Sequence, residues 1–359
     1  MPSRIATVPE PIEPMLAKVA PALPDTPGFL FEPKWDGFRA IVFRTADATQ
    51  IQSRDLKSLN RYFPELVQGL HDALPPGTIV DGEIVVLGKD GLDFDALQQR
   101  VHPAASRVAR LSEETPARFV AFDLLCESGA STLEWPQTKR RAQLEKLLAD
   151  ATPPLHLTPM TQDYGTAVRW LRDFEGAGLD GVMAKPASAA YQPGKRAMLK
   201  IKHVRSADCV VAGYRLFKER DDAVGSLLLG LYSDDGVLQH VGITSAFDMA
   251  SRVQLLVDLA PLRKLKGGRH PWIPDKSMAA PPGQRVPGAR SRWSGTKDLG
   301  WEPLRPERVC EVRYDHLQGD RFRHATTFLR WRPDKPPEDC RYDQLEQTAP
   351  FELSKVFAA

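Results

Sequence analysis

The sequence predicts an α+β fold in two domains, the second a small Greek-key β-barrel of the OB type. Three observations carry this. The chain has 359 residues, more than the roughly 100 to 200 of one domain. Strand-like and helix-like segments alternate from Phe29 to Lys202. After Val204 the texture changes to short β-like runs with a single helix among them, which suits such a barrel. The boundary falls near residues 203–207, giving domains 1–203 and 204–359.

Residues 1–28 are rich in Pro and Ala, with a short apolar patch at Met15-Leu16-Ala17 expected to pack on the domain surface. Phe29–Phe43 and Thr78–Leu87 are strand-like, rich in β-branched and aromatic residues. Pro64–Leu74 has helical spacing, with Leu66, Val67, Leu70 and Leu74 on one side. Arg118–Cys126 reads as a buried strand. Thr138 is the expected cap of a helix over Lys139–Leu148, with Leu144, Leu147 and Leu148 as its apolar stripe. Thr166–Phe174 is a further helix stopped near Gly176 and Gly178, and strands follow at Gly181–Lys185 and Met198–Lys202. The second domain reads as strands Cys209–Leu216, Ser226–Tyr232 and Val237–Thr244, the last two joined by an Asp-Asp-Gly turn at 234–236. A helix at Phe247–Leu259, an irregular stretch, and strands Val309–Tyr314 and Thr326–Trp331 complete it.

The composition, 42% hydrophobic and 26% charged, excludes a disordered or fibrous chain. No apolar run reaches the roughly 18 residues of a membrane helix, and prolines rather than an apolar segment follow Met1. The expectation is an intracellular, cytoplasmic protein with no membrane partner. Cys126, Cys209, Cys310 and Cys340 are widely spaced, which argues for reduced thiols and against a structural zinc site. The formal charge is +2, but residues 261–297 hold nine Lys and Arg against Asp275 alone. Such segregation marks a surface for a phosphate backbone. Within this Pro- and Gly-rich insertion (near 261–300), Arg285, Arg290 and Arg292 are the expected DNA-binding residues.

The strongest chemical signal is Lys34-Trp35-Asp36-Gly37-Phe38-Arg39, preceded by Phe31-Glu32-Pro33. A lysine ending a strand, beside a glycine that lets the backbone turn, suits a nucleophile once neighbouring cations, a metal or burial neutralise it. An ordered series follows: Ser53-Arg54, Asp81-Gly82-Glu83, Phe122-Asp123-Leu124, Asp180–Lys185, Leu199-Lys200-Ile201-Lys202, and Arg330-Trp331-Arg332-Pro333-Asp334-Lys335-Pro336. In order and content these resemble motifs I, Ia, III, IV, V and VI of the covalent nucleotidyltransferases, specifically ATP-dependent DNA ligases. The likeness is nearest to the short bacterial LigC type and to the ligase module of LigD.

The resemblance implies a nucleotidyltransferase domain of antiparallel sheets with flanking helices, then the OB-fold domain. It implies Lys34 as the nucleophile toward the α-phosphorus of ATP, Glu32 at the adenine edge, Phe122 stacked on the purine, and Arg39 and Glu83 on the ribose. Arg54 would hold the AMP phosphate, with Lys185, Arg196, Lys200 and Lys202 as further phosphate contacts. Arg332, Asp334 and Lys335 would orient pyrophosphate. Mg²⁺, or Mn²⁺, would be held by Asp180 and Glu83, although the family usually has Glu where this chain has Asp180. The implied activity is sealing of 3′-OH/5′-phosphate nicks in duplex DNA, through a lysyl-AMP and an adenylylated DNA, in DNA repair. A nucleoid-associated monomer recruited by repair or end-binding proteins is expected. An RNA ligase or capping-type enzyme, and a non-catalytic DNA-binding scaffold of the same fold, are the alternatives.

Overall fold

A computed structural model describes residues 8–357 except 90, 204, 219, 264–268, 274–280, 282, 289–299, 316 and 346–350. Contacts divide the chain into two units, Met1–His203 with Thr348–Ala359, and Val204–Gln347. The segment after the barrel, expected with the second domain, therefore belongs with the first. Its helix α7 (Leu353–Phe357) buries Val356 among side chains of the first unit.

The first unit runs β1 (Leu16–Val19), β2 (Phe29–Pro33), β3 (Phe38–Arg44), β4 (Thr49–Ser53), α1 (Pro64–Ala73), β5 (Thr78–Gly88) and β6 (Gly91–Leu92). It continues with α2 (Phe94–Arg100), α3 (Ala105–Glu114), β7 (Ala117–Glu127), β8 (Ala130–Ser131), α4 (Gln137–Leu147), β9 (Leu155–Leu157), α5 (Tyr164–Asp173), β10 (Val182–Pro186) and β11 (Arg196–Ile201). One sheet has the order β1-β11-β10-β2. The other has the order β4-β3-β5-β7-β8, with β9 added parallel to β7. The near-continuous apolar runs of β5 and β7 are explained by burial on both faces. Leu66 and Leu70 of α1 close one side against them.

The run Phe29–Phe43 is two strands in two different sheets, because the chain changes sheet at Lys34–Gly37. Gly37 is needed there: a Cβ would strike the Ile84 carbonyl oxygen and lie 2.9 Å from Glu83 Cγ. The Lys34 N–H donates to the Gly181 carbonyl and the Asp180 N–H to the Lys34 carbonyl, each at 2.9 Å. Gly181 has φ +112°. The lysine's backbone is thereby pinned to the turn that carries Asp180.

Thr138 does not cap α4. The helix begins at Gln137 after Pro136, and the Thr138 N–H instead donates to the Ala187 carbonyl at 3.0 Å. The sequence also hid β4, whose glutamine face looks solvated; Gln52 is buried and exchanges hydrogen bonds with both backbone groups of Ile12.

The second unit runs β12 (Arg205–Leu216), β13 (Val224–Tyr232), β14 (Leu238–Thr244), α6 (Met249–Leu259), β15 (Glu302–Tyr314), β16 (Leu317–Gln318), β17 (Arg321–Phe322) and β18 (Thr327–Trp331). Its main sheet has the order β14-β13-β12-β15-β18. The outer strands approach each other where the Thr326 N–H donates to the Ile243 carbonyl (2.8 Å) and the Thr244 hydroxyl to the Thr326 carbonyl (2.9 Å). A five-stranded sheet so curled, with α6 between its third and fourth strands, has the Greek-key order of a small barrel. Cys209, Cys310 and Cys340 are buried free thiols in this unit, and Cys126 is one in the first.

Among the described residues of the insertion, two aromatic side chains are core. His270 and Trp272 are buried, with Trp272 Nε1 donating to the Leu238 carbonyl at 2.9 Å. An Arg- and Pro-rich stretch is thus anchored by two aromatic side chains that its charge conceals.

Burial, then Arg118, lowers the pKa of His156 to about 4. Burial, then Arg215, Arg321 and Arg285, does the same for His240. Each imidazole binds its proton more weakly in the folded chain than in the unfolded one. Its stabilising contribution is therefore complete above about pH 6.5 and is lost as pH falls through 4. Urea midpoints measured between pH 7 and 4 are expected to fall less steeply in His156→Phe than in the parent. Equal slopes would contradict this.

Candidate active site

Between the two sheets of the first unit lies a cavity of about 500 Å³. Lys34, Glu32, Arg39, Arg54, Glu83 and Phe122 line it. Lys185, Arg196 and Lys200 complete the wall from β10 and β11. Nine residues named from the sequence are thus brought onto one cavity from seven segments. The tenth of this group, Lys202, reaches it through Asp180.

Lys34 Nζ lies 2.6 Å from Asp180 Oδ2, and Lys202 Nζ lies 2.9 Å from the same oxygen. Burial opposes ionisation of Asp180, but Lys34 and Lys202 outweigh it and hold the carboxyl at about 2. The pair is an anchor for cations rather than a store for protons. Burial, then Lys202 and Lys34, holds the Lys200 ammonium below its ordinary value. Three amines thus share this corner with one carboxylate.

Burial pushes Glu83 up to about 7 against the pull of Arg39 and Lys34. Arg39 forms a two-pronged pair with Asp81, both contacts 2.6 Å. Burial works against its charge, and Asp81 more than compensates. The Tyr191 hydroxyl donates to Asp81 Oδ2 at 2.6 Å and accepts from the Met15 N–H at 2.9 Å. Arg39 also lies 4.4 Å from the centroid of Phe122. Its guanidinium is thus held on the cavity wall between a carboxylate and a ring face.

Glu32 is 2% exposed, and its Oε2 is 2.7 Å from Lys185 Nζ. Lys185 also donates to the Phe122 carbonyl at 3.0 Å. Glu32 Oε1 and Arg141 Nη1 are 3.8 Å apart, and both are buried atoms with no hydrogen-bond partner. Such atoms are costly to leave unsatisfied, so a ligand with polar edges is the chemistry this corner suits. Arg54 and Arg196 line the cavity from exposed positions.

Motif VI lies in the second unit. Arg332 Nη1 contacts both oxygens of Asp208 at 2.9 Å, its Nη2 contacts Asp334 at 2.8 Å, and Lys335 is 3.8 Å from Asp208. Arg285 is bonded to Asp320 and to the Tyr342 hydroxyl. Its side chain remains about a third exposed beside that acid. Arg290 and Arg292 lie outside the described residues.

Among the described residues no three His, Cys, Asp or Glu side chains group as a metal site. Glu83 on the cavity wall and Asp180 beside Lys34 are nonetheless oxygen donors of the kind that fit Mg²⁺, which is commonly held by one or two carboxylates with water.

Sequence reasoning left Asp81, Arg141 and Tyr191 without roles. Asp81 was legible, since it precedes Glu83 by two residues in a strand and shares its face. Arg141 and Tyr191 are brought in by tertiary packing over more than a hundred residues, a distance at which local pattern says nothing.

Comparison with known proteins completes the site. The family model "ATP dependent DNA ligase domain" matches residues 14–202, and "ATP dependent DNA ligase C terminal region" matches residues 220–335. DNA ligase C of Mycobacterium tuberculosis is 51% identical over 352 residues, spanning 96% of this chain and 97% of its own. DNA ligase C2 of Mycolicibacterium smegmatis is 53% identical over 337 residues, 94% of each chain. A solved structure of a Lig E DNA ligase has a TM-score of 0.54 at 17% identity, covering 89% of this chain and 99% of that one; it supports the fold.

Proposed function

The chain belongs to the ATP-dependent DNA ligases, and from that premise we propose that Lys34 takes AMP from ATP and that the chain passes it to the 5′-phosphate of a nick in duplex DNA. The observation that carries the proposal is the Lys34 amine at the mouth of the cavity, held at 2.6 Å by Asp180 and crowded by Lys200 and Lys202.

The Lys34 amine attacks the α-phosphorus as its free base and pyrophosphate leaves, giving a phosphoramidate. The proton it sheds has Asp180 as its nearest acceptor. With a carboxyl at about 2, Asp180 relays that proton rather than keeping it. Lys200 and Lys202 offset the charge of the phosphoryl oxygens. AMP then passes to the DNA 5′-phosphate, and the 3′-hydroxyl displaces it to form the phosphodiester. Each step is an in-line displacement, so positioning and charge neutralisation do most of the catalysis.

Glu32 faces the adenine edge through its open Oε1, Phe122 takes the base face, and Glu83 accepts from the ribose. Arg54, Lys185 and Arg196 take phosphate contacts. Asp180 and Glu83 are the residues that would hold Mg²⁺ or Mn²⁺, which supplies charge neutralisation at the phosphates when bound. Arg332 and Lys335 of the second unit orient pyrophosphate. Arg290 and Arg292, with Arg285 in support, meet the DNA backbone, and the active form is a monomer recruited to breaks by repair proteins.

Incubation with α-labelled ATP and Mg²⁺ is expected to label the protein covalently, and nicked duplex DNA is expected to discharge that label. A label unaffected by nicked DNA would contradict the assigned second step.

A further inference from the structure

The wall behind Lys34 is finished by a segment that the motif series does not contain. Trp35, the next residue, is 4% exposed and lines the same cavity. Its indole N–H donates to Thr158 Oγ1 at 2.8 Å. The Thr158 carbonyl in turn accepts from Arg141 Nη2 at 2.8 Å, so the indole is tied to the arginine beside Glu32.

One face of this arrangement is supplied by Phe357. Its ring stacks on Trp35 with centroids 5.0 Å apart and planes 23° apart. The same ring stacks on His156 at 4.4 Å and 25°. The segment is firmly seated: Val356 is fully buried, the Phe351 N–H donates to the Gly176 carbonyl at 3.1 Å, and the Phe351 ring lies 5.3 Å from that of Phe174. An aromatic layer His156–Phe357–Trp35 thus backs the residue adjoining the nucleophile.

We propose that Phe357 is a positioning residue for the adenylylation step, acting through Trp35 to set where Lys34 enters the cavity. The proposal rests on Lys34 being the nucleophile. The physical argument is one of degrees of freedom. Lysine has a long flexible stem, so its amine is aimed by two things: the Asp180 carboxylate at its tip and the backbone at its root. Gly181 and Asp180 fix that root from one side through main-chain hydrogen bonds. The packed indole fixes the residue that follows. Loosening the indole lets the root shift, and misplacements on the order of 1 Å are costly to an in-line attack. The stack reaches the ATP-binding side chains only at second hand, from the indole through Thr158 and Arg141 to Glu32, so its loss is expected to act mainly at Lys34.

The test uses the full chain carrying Phe357→Leu, which keeps apolar bulk but removes the stacking plane, and Phe357→Tyr, which restores it. Three quantities are read: the rate of lysyl-AMP formation at saturating ATP, the KM for ATP, and sealing of a nick that already carries a 5′-adenylate, where Lys34 makes no attack. Phe357→Leu is expected to slow lysyl-AMP formation on the order of tenfold, with KM and sealing of the adenylylated nick near parent values. Phe357→Tyr is expected to recover the parent rate. Unchanged adenylylation in Phe357→Leu overturns the proposal, and so does equal loss of both reactions, which would make Phe357 an ordinary core residue. Should Phe357→Leu fail to fold, His156→Ala removes the other side of the stack. The same split between reactions is then expected, and its absence overturns the proposal. Peptide mapping of the labelled parent separates the premise from the proposal: AMP on a residue other than Lys34 would remove both.

Discussion

Lys34→Ala is expected to abolish transfer of label from ATP to the protein, by a factor on the order of 10⁵ or more. The size follows from what is lost. Neighbouring amines cannot stand in: Lys200 and Lys202 enter from β11 and the residue that follows it, a different root from that of Lys34. Neither shares the pinned root that Gly181 and Asp180 give Lys34. Sealing of a nick already bearing a 5′-adenylate bypasses the attack and is expected to survive, since Glu32, Phe122 and Glu83 remain to bind the AMP group. Lys34→Arg is expected to behave like alanine for transfer, because a guanidinium stays protonated and cannot attack. Appreciable labelling of Lys34→Ala would move the nucleophile elsewhere in the cavity.

Asp123→Ala is expected to cost about 3–5 kcal/mol of stability. Asp123 and Arg140 are almost wholly buried, and Arg140 reaches Asp123 with Nε at 2.7 Å and Nη2 at 3.1 Å. The guanidinium is also wired to the Ala189 carbonyl at 3.1 Å and to the Trp135 carbonyl at 2.5 Å. Removing the acid leaves a fixed cation in the interior with its counter-charge gone. Replacing both members, as Asp123→Leu with Arg140→Met, is expected to cost clearly less, because two apolar side chains carry no desolvation debt. Chemical denaturation of the two single variants and the double variant checks this. A double variant as unstable as the sum of the singles would show the pair to be uncoupled.

The fold was legible where chemistry is local. The strands of the central sheet announced themselves through β-branched runs such as Thr78–Gly88, and α1 through the spacing of Leu66 and Leu70. The motif residues were legible because each sits at a strand end or on a strand face, where a short local pattern is enough to mark it. Other features were closed to sequence reading for physical reasons. β4 hid behind Gln52, whose amide is satisfied by a residue forty positions away. Gly37 signalled a turn after Lys34, but nothing local says that the strands on its two sides enter different sheets. The pairing of Arg39 with Asp81, across the ladder, was closed to local reading as well. Charge counting could not show that Trp272, inside the basic stretch, is core, or that Arg285 faces Asp320.

The seating of α7 in the first unit has a consequence for the order in which a growing chain matures. Residues 204–347 form one uninterrupted stretch, whereas the earlier unit waits for Val356 and Phe357 to close its interior. Along a vectorially made polypeptide, the body begun second can therefore reach its native state first, and the body begun first is finished only when the ribosome has read past the other.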